Sequence, residues 1–101
     1  MCIFCSIIKK ESPAEFIFED DVIIVIKNIL NWAPVMLMVI PKKHMLQEDM
    51  YTSEIINKIT KNGIYWGKKT CPNGFRLLSN FGSDGLQSVE QYPRIWFWCY
   101  L

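Results

Sequence analysis

An α+β fold, with an antiparallel sheet and a helix on one face, is what this sequence predicts. Three observations carry that expectation. Short apolar segments of strand length recur at residues 15–19, 22–27, 35–40 and 75–79. A tight acidic turn joins the first two, as neighbouring antiparallel strands require. One long amphipathic stretch, residues 50–68, lies between the third and fourth, so helix and sheet share one core.

The elements follow in order. Residues 6–10 form a short helix or turn that must end by Ser12, because Pro13 disfavours helix in the residue before it. Residues 15–19 alternate enough for a strand, Asp20-Asp21 turn the chain, and 22–27 return. Residues 28–34 are a loop with turn chemistry at Asn31 and Pro34. Residues 35–40 are continuously apolar, as in a central strand, and Pro41 ends them. Residues 42–49 read as a second loop.

In the helix, Thr52 or Ser53 is expected as N-cap, with Glu54 in the first turn facing the dipole. Ile55, Ile56, Ile59 and Ile64 supply the apolar face. Gly63 is expected to kink or end the helix, since glycine costs about 1 kcal/mol there relative to alanine. Trp66 reads as a core residue of the helix face. Residues 67–74 read as a polar loop, 75–79 as a strand and 80–85 as a glycine-bearing loop.

The chain of 101 residues is one domain with a modest core, so support from a metal or a partner chain is expected. Its net charge is +1, which gives no case for nucleic acid or an anionic membrane. The pairs Lys9-Lys10, Lys42-Lys43 and Lys68-Lys69 read as solvated surface. The apolar start is too short for a signal peptide and lacks a basic region before it. No apolar run approaches the roughly 20 residues of a spanning helix. A cytoplasmic location is the expectation, with the four cysteines as thiols or metal ligands, not disulfides.

Four segments together resemble the histidine triad (HIT) family. They are Cys2-Ile-Phe-Cys5-Ser-Ile-Ile, the acidic turn Glu19-Asp20-Asp21, Ala33-Pro-Val-Met-Leu-Met-Val-Ile-Pro-Lys-Lys-His44, and Gly74-Phe-Arg-Leu-Leu-Ser-Asn80-Phe-Gly82-Ser-Asp-Gly85-Leu-Gln87-Ser88-Val89. Their order and spacing match the family across residues 2–90. The resemblance implies a sheet of about five strands with one long helix, in a homodimer that shares the sheet. It implies binding of a purine nucleotide, AMP-like, and hydrolysis of a bond to its α-phosphate. The nucleophile in such proteins is a histidine, whose neutral imidazole attacks and then leaves.

The same resemblance nominates site residues. Ile26 would wall the base pocket, and Asn28 and Ile29 match the ribose-binding turn, with asparagine replacing the usual aspartate. Asn80, Gly85, Gln87, Ser88 and Val89 match the phosphate side, where glycines allow close backbone approach to an anion. Leu86 stands where many relatives carry a second glycine. Cys2, Cys5 and His44 match three ligands of a structural zinc, for which thiolates and imidazole are suited.

The departure is at the C-terminal side. The triad positions fall on Gln91, Pro93 and Ile95, and the sequence holds one histidine only, His44. Met36 replaces a further family histidine. No catalytic residue is assigned for that reason. The chain divides on this reading into a HIT-like domain, residues 1–90, and a divergent tail, 91–101. A one-nucleotide shift across residues 91–100 permits a His-Val-Phe-Gly run. Trp96-Phe97 and Trp98-Cys99 then each encode glycine. Two readings of the tail stand, a shifted frame and a true divergent terminus whose aromatic residues pack on the sheet. Loss of the histidine strand is expected to leave a sheet edge exposed. The expectation for function is a nucleotide-binding protein of a hydrolase lineage, inactive as written. Its rivals are a non-enzymatic dimerising module with the same fold and, last, a small zinc-supported protein unrelated to nucleotides.

Overall fold

The computed structural model describes residues 3–27, 35–81, 84 and 95–99, with side chains at 5–27, 35–81 and 84. In chain order these form α1 (Ile3–Ile8), β1 (Phe16–Glu19), β2 (Ile23–Lys27), β3 (Val35–Pro41), α2 (Gln47–Tyr51), α3 (Ile55–Thr70), β4 (Arg76–Leu78) and β5 (Ile95–Cys99). The five strands make one sheet in the order β1-β2-β3-β5-β4, and every neighbouring pair is antiparallel. The α+β class and the antiparallel sheet of the sequence reading are both present.

The sheet is buried on two faces because β2 and β3 are apolar at consecutive positions. Ile23, Val25, Leu37 and Val39 meet Ile59 of α3 and Met50 of α2. Ile24, Ile26, Met38 and Ile40 meet Ile7 of α1 on the opposite face. Side chains alternate along a strand, so an unbroken apolar run is what a strand covered on both sides requires. β1 is different. Phe16 opposes Ile26 and Phe18 opposes Val25, so an irregularity lies between them. The extra residue moves Phe16 to the α1 side and Phe18 to the α3 side, although both are even-numbered.

α1 ends earlier than Pro13 alone would dictate. Lys10 adopts a φ of 64°, and the Glu11 N–H donates to the Ser6 carbonyl at 2.8 Å. A left-handed residue followed by such a bond closes a helix C-terminus.

Three sequence expectations need correction. Residues 47–49, expected in a loop, belong with 50–51 to the short helix α2, since buried Gln47 and Met50 dock it on the core. The long helix begins at Ile55, not Met50, and neither Thr52 nor Ser53 caps it. Their hydroxyls donate backwards, to the carbonyls of Glu48 and Met50. The helix then runs through Gly63 to Thr70 without ending. Gly63 and Gly67 lie on its buried side, where a Cβ would meet Leu77 and Phe75 respectively. Glycine is tolerated there because it lets the helix lie close to the β4 region. Ile64, expected on the apolar face, is 43 % exposed, whereas Trp66 packs with the core and against Phe18.

Two further expectations are overturned. Cys71 is buried and disulfide-bonded. The compartment argument that favoured thiols carries no information on which cysteines the fold brings together. The edge left by the missing histidine strand is also filled. Ile95–Cys99 pairs with β3 on one side and β4 on the other. Backbone hydrogen bonding does not depend on side-chain identity, so a strand with no histidine can still complete the sheet. Pro93, expected to interrupt such pairing, lies outside the described residues.

Candidate functional site

The residues nominated as metal ligands converge in part. α1 carries Cys5 on the face opposite α3, and the turn after β3 carries His44. The Cys5 Sγ lies 3.1 Å from the His44 Nδ1, across 39 residues of sequence. Cys5 is in no disulfide. Two such ligands on one zinc ion stand about 3.6 Å apart, from bonds of about 2.3 and 2.1 Å at a tetrahedral angle. The observed separation is within about half an ångström of that, so the pair fits half of a zinc site. Cys2, the third nominated ligand, lies outside the described residues. Among the described residues, no three His, Cys, Asp or Glu side chains cluster to hold a metal.

Of the nominated nucleotide residues, Ile26 and Asn80 are described. Ile26 is 2 % exposed and packs with Ile7, Ile24, Met38 and Ile40 under α1. It is therefore a core residue of the same cluster against which Cys5 packs. Asn80 is half-buried and lies two residues beyond the end of β4. Asn28, Ile29, Gly85, Gln87, Ser88 and Val89 lie outside the described residues. Met36, in place of a family histidine, is buried and stands opposite Trp98 in register. Of the triad positions, Ile95 opens β5 opposite Val39. Gln91 and Pro93 lie outside the described residues.

The structure adds residues that the sequence reading passed over. Lys43, His44, Met45, Asp49, Ser53 and Ile55 line an open groove of about 460 Å³ beside the Cys5–His44 pair. Tyr51 of α2 reaches the segment that carries Asn80. Its hydroxyl shares a hydrogen bond of 2.5 Å with Ser79, and its ring lies 5.5 Å from that of Phe81. No periodicity marks α2 in the sequence, because a five-residue helix is too short to show one.

The acidic turn is an electrostatic tie for the whole hairpin. Glu19 bridges Lys10 and Lys42, each at 2.7 Å, and those two lysines hold its carboxyl below the usual range. Asp20 accepts the N–H groups of Val22 and Ile23 and pairs with Lys58 of α3 at 2.6 Å. Burial alone would raise the Asp20 carboxyl. The Lys58 ammonium and the two N–H groups outweigh it and bring the pKa to about 2. The hairpin is thus fastened by three lysines, Lys10 just after α1, Lys42 just after β3 and Lys58 on α3.

The fold and these residues define a class: a small α+β domain with a five-stranded antiparallel sheet, one long helix and a cysteine–histidine pair beside α1. A family described as "Scavenger mRNA decapping enzyme C-term binding" matches residues 1–88. The chain is 46 % identical over 95 residues to Protein HitA of Neisseria gonorrhoeae, covering 87 % of this chain and 86 % of that one. A HIT family hydrolase from Clostridium thermocellum superposes with a TM-score of 0.88 at 30 % identity, covering 99 % and 90 % of the two chains. A zinc-bound histidine triad family protein from Mycobacterium smegmatis shares the fold, with a TM-score of 0.86 at 22 % identity over 99 % of this chain and 75 % of that one. The chain belongs to the histidine triad family. No helix among the described residues is long and apolar enough to cross a membrane.

Proposed function

We propose that this protein binds a purine nucleotide, AMP-like, and descends from nucleotide hydrolases without retaining their chemistry. One observation carries the reading. The chain keeps the phosphate-side segment from Asn80 to Val89, yet has Gln91, Pro93 and Ile95 where the nucleophilic strand needs histidines. Nucleophilic attack by imidazole on an α-phosphorus has no agent at those positions. Asn80, Gln87 and Ser88 would donate to phosphate oxygens, and Gly85 and Val89 would offer close backbone. Asn28 and Ile29 would meet the ribose. Ile26 supports the base side from within the core.

A structural zinc would be held by Cys5 and His44, with Cys2 as third ligand. When bound, it would cross-link α1 to the turn after β3. The family's two-fold dimer is supported by the place of β4. It is an outer strand of the sheet and carries Leu77, 38 % exposed, toward solvent. A cytoplasmic setting suits metal-bound thiolates, and the Cys71 disulfide is the observation that pulls the other way. The 91–101 tail keeps two readings, a shifted frame, supported by the two glycines that Trp96-Phe97 and Trp98-Cys99 would encode, and a true divergent terminus.

Calorimetric titration with AMP tests the reading. Binding, without turnover of adenosine 5′-phosphoramidate or a dinucleoside polyphosphate, is the expected result. No heat at millimolar AMP overturns it and leaves a dimerising module with the HIT fold. Coding DNA that stays open through a His-φ-φ-Gly-Gly sequence in another frame would assign hydrolysis to the repaired protein.

A further inference from the structure

We propose that the outward face of α3 docks an acidic segment of a partner protein, with Lys61 and Lys68 meeting its carboxylates and Ile64 and Tyr65 meeting an apolar side chain between them. Nothing in this depends on nucleotide binding. The charge pattern of the helix points to it. α3 holds four lysines and no acidic residue, in a chain whose net charge is only +1. A helix face that served solubility alone would intersperse both signs, since opposite charges four residues apart add stability. Lys58 is paired, with Asp20. Lys61 and Lys68 form no ion pair among the described residues. A lysine in the last turn complements the helix dipole, which accounts for Lys68 and Lys69 but not for Lys61.

Between the two lysines the same face is apolar. Residues 61, 64, 65 and 68 are three or four apart, so they share one side of the helix, opposite the buried Ile59, Gly63 and Gly67. Ile64 is 43 % exposed and Tyr65 is 56 % exposed. Tyr65 is nonetheless held in place. Trp66 meets its ring edge-on, with 5.1 Å between centroids at 85°, and the Lys69 ammonium lies 5.7 Å from its centroid. Trp66 in turn packs against Phe18 and the core. The Tyr65 hydroxyl has no hydrogen-bond partner among the described residues. An exposed ring fixed in advance lowers the ordering cost of a contact made later.

Spacing and shape select the partner. Lys61 and Lys68 are about 10 Å apart along the helix axis. That is the span of about three residues of extended chain, so carboxylates at that interval with an apolar side chain between them fit the face. A membrane surface takes up a whole apolar stripe, and the stripe of α3 is turned to the sheet. Single-stranded nucleic acid lies in basic grooves over successive aromatic platforms, whereas this face is convex and exposes the one ring of Tyr65. A second copy docked by the same face about a two-fold axis would set lysines against lysines.

The test uses the full chain and a fluorescein-labelled peptide of Glu-Ser-Leu repeats, with a peptide of Gln-Ser-Leu repeats as control. Anisotropy is expected to show binding of the acidic peptide alone, weakening as salt is raised because the lysines are exposed. Lys61→Gln combined with Lys68→Gln should weaken it about tenfold, and Tyr65→Ala about fivefold. Lys9→Gln combined with Lys27→Gln removes the same charge from other surfaces and should change it little. Urea midpoints should stay near wild type, since exposed side chains are replaced; should Tyr65→Ala lose stability, the Lys61 and Lys68 pair alone decides. No binding of the acidic peptide at millimolar concentration overturns the proposal. Equal losses from the two lysine pairs overturn it too, since the attraction would then be one of net charge. Tighter binding of single-stranded RNA or phosphatidylserine vesicles through Lys61 and Lys68 overturns it in favour of that partner. A dimer in sedimentation that dissociates in the Lys61 and Lys68 variant would give this face to a second copy and overturn it as well.

Discussion

Alanine at Gly67 and alanine at Gly63 should have opposite effects, although the two glycines sit four residues apart on one face of α3. In an exposed helix interior each change would add about 1 kcal/mol of helix propensity. At Gly63 the new Cβ would stand 3.1 Å from the Leu77 Cδ2. That methyl ends a flexible side chain that is 38 % exposed, so it can shift by a few tenths of an ångström. The expected net result is stabilisation of about 0.5 kcal/mol. At Gly67 the Cβ would collide with the Phe75 ring, 2.7 Å from Cδ2 and closer to Cε2 and Cζ. A ring cannot bend away as a methyl can, and Phe75 packs against the core. Overpacking costs about 1–3 kcal/mol, and a clash this close with a ring belongs at the upper end, so after the propensity gain of about 1 kcal/mol up to about 2 kcal/mol of destabilisation is left. Urea unfolding of both variants measures this directly, as midpoints moving in opposite directions at constant slope. Gly67→Ala at least as stable as Gly63→Ala would refute the argument that close helix packing, not helix termination, explains these glycines.

Three other expectations follow from the same structure. Ile59→Ala should cost about 2–5 kcal/mol and Ile64→Ala less than about 0.5, since the first is fully buried and the second is 43 % exposed on the same helix; equal losses in thermal unfolding would contradict the assigned face. Asp20→Asn keeps an acceptor for the turn but loses the Lys58 pair, and with 28 % of the Asp20 side chain exposed the discounted loss is about 1 kcal/mol at pH 7. Because the folded pKa of Asp20 lies below its ordinary 3.8, this advantage is complete above about pH 5 and fades as pH falls through about 2; a gap between wild type and variant that persists at pH 2 would count against the pairing. Freshly desalted wild-type protein should carry one zinc per chain, and Cys5→Ser or His44→Ala should lower it; metal-free wild type would dismiss the metal site.

The sheet was readable in the sequence because β2 and β3 are too apolar for any strand but one covered on both faces. The long helix was readable from its isoleucines. Its start was not, because Thr52 and Ser53 have the chemistry of N-caps and spend it on the carbonyls of α2 instead. The glycines misled for a similar reason: propensity penalises them locally, and only the approach of Leu77 and Phe75 explains them. The reversal within β1 was also hidden, since one extra residue between Phe16 and Phe18 exchanges faces without changing composition. At the candidate site, no local pattern links Cys5 to His44 across 39 residues. Family resemblance nominated the pair, and the fold brings it together. Tyr51 carries neither motif nor period and emerges only from the tertiary contact.

The sheet order has a consequence for how the chain is made. Among the described residues β4 pairs with β5 alone, and β5 follows it in the chain. On the ribosome, β1, β2 and β3 can pair as they emerge, while β4 must wait for the roughly twenty residues that bring β5 out, about one to four seconds at ordinary synthesis rates. During that interval β3 offers an open edge beside a half-assembled domain. The nascent chain is therefore most exposed to wrong strand partners between the emergence of β4 and that of β5, and a chaperone that shields strand edges would matter most in that interval.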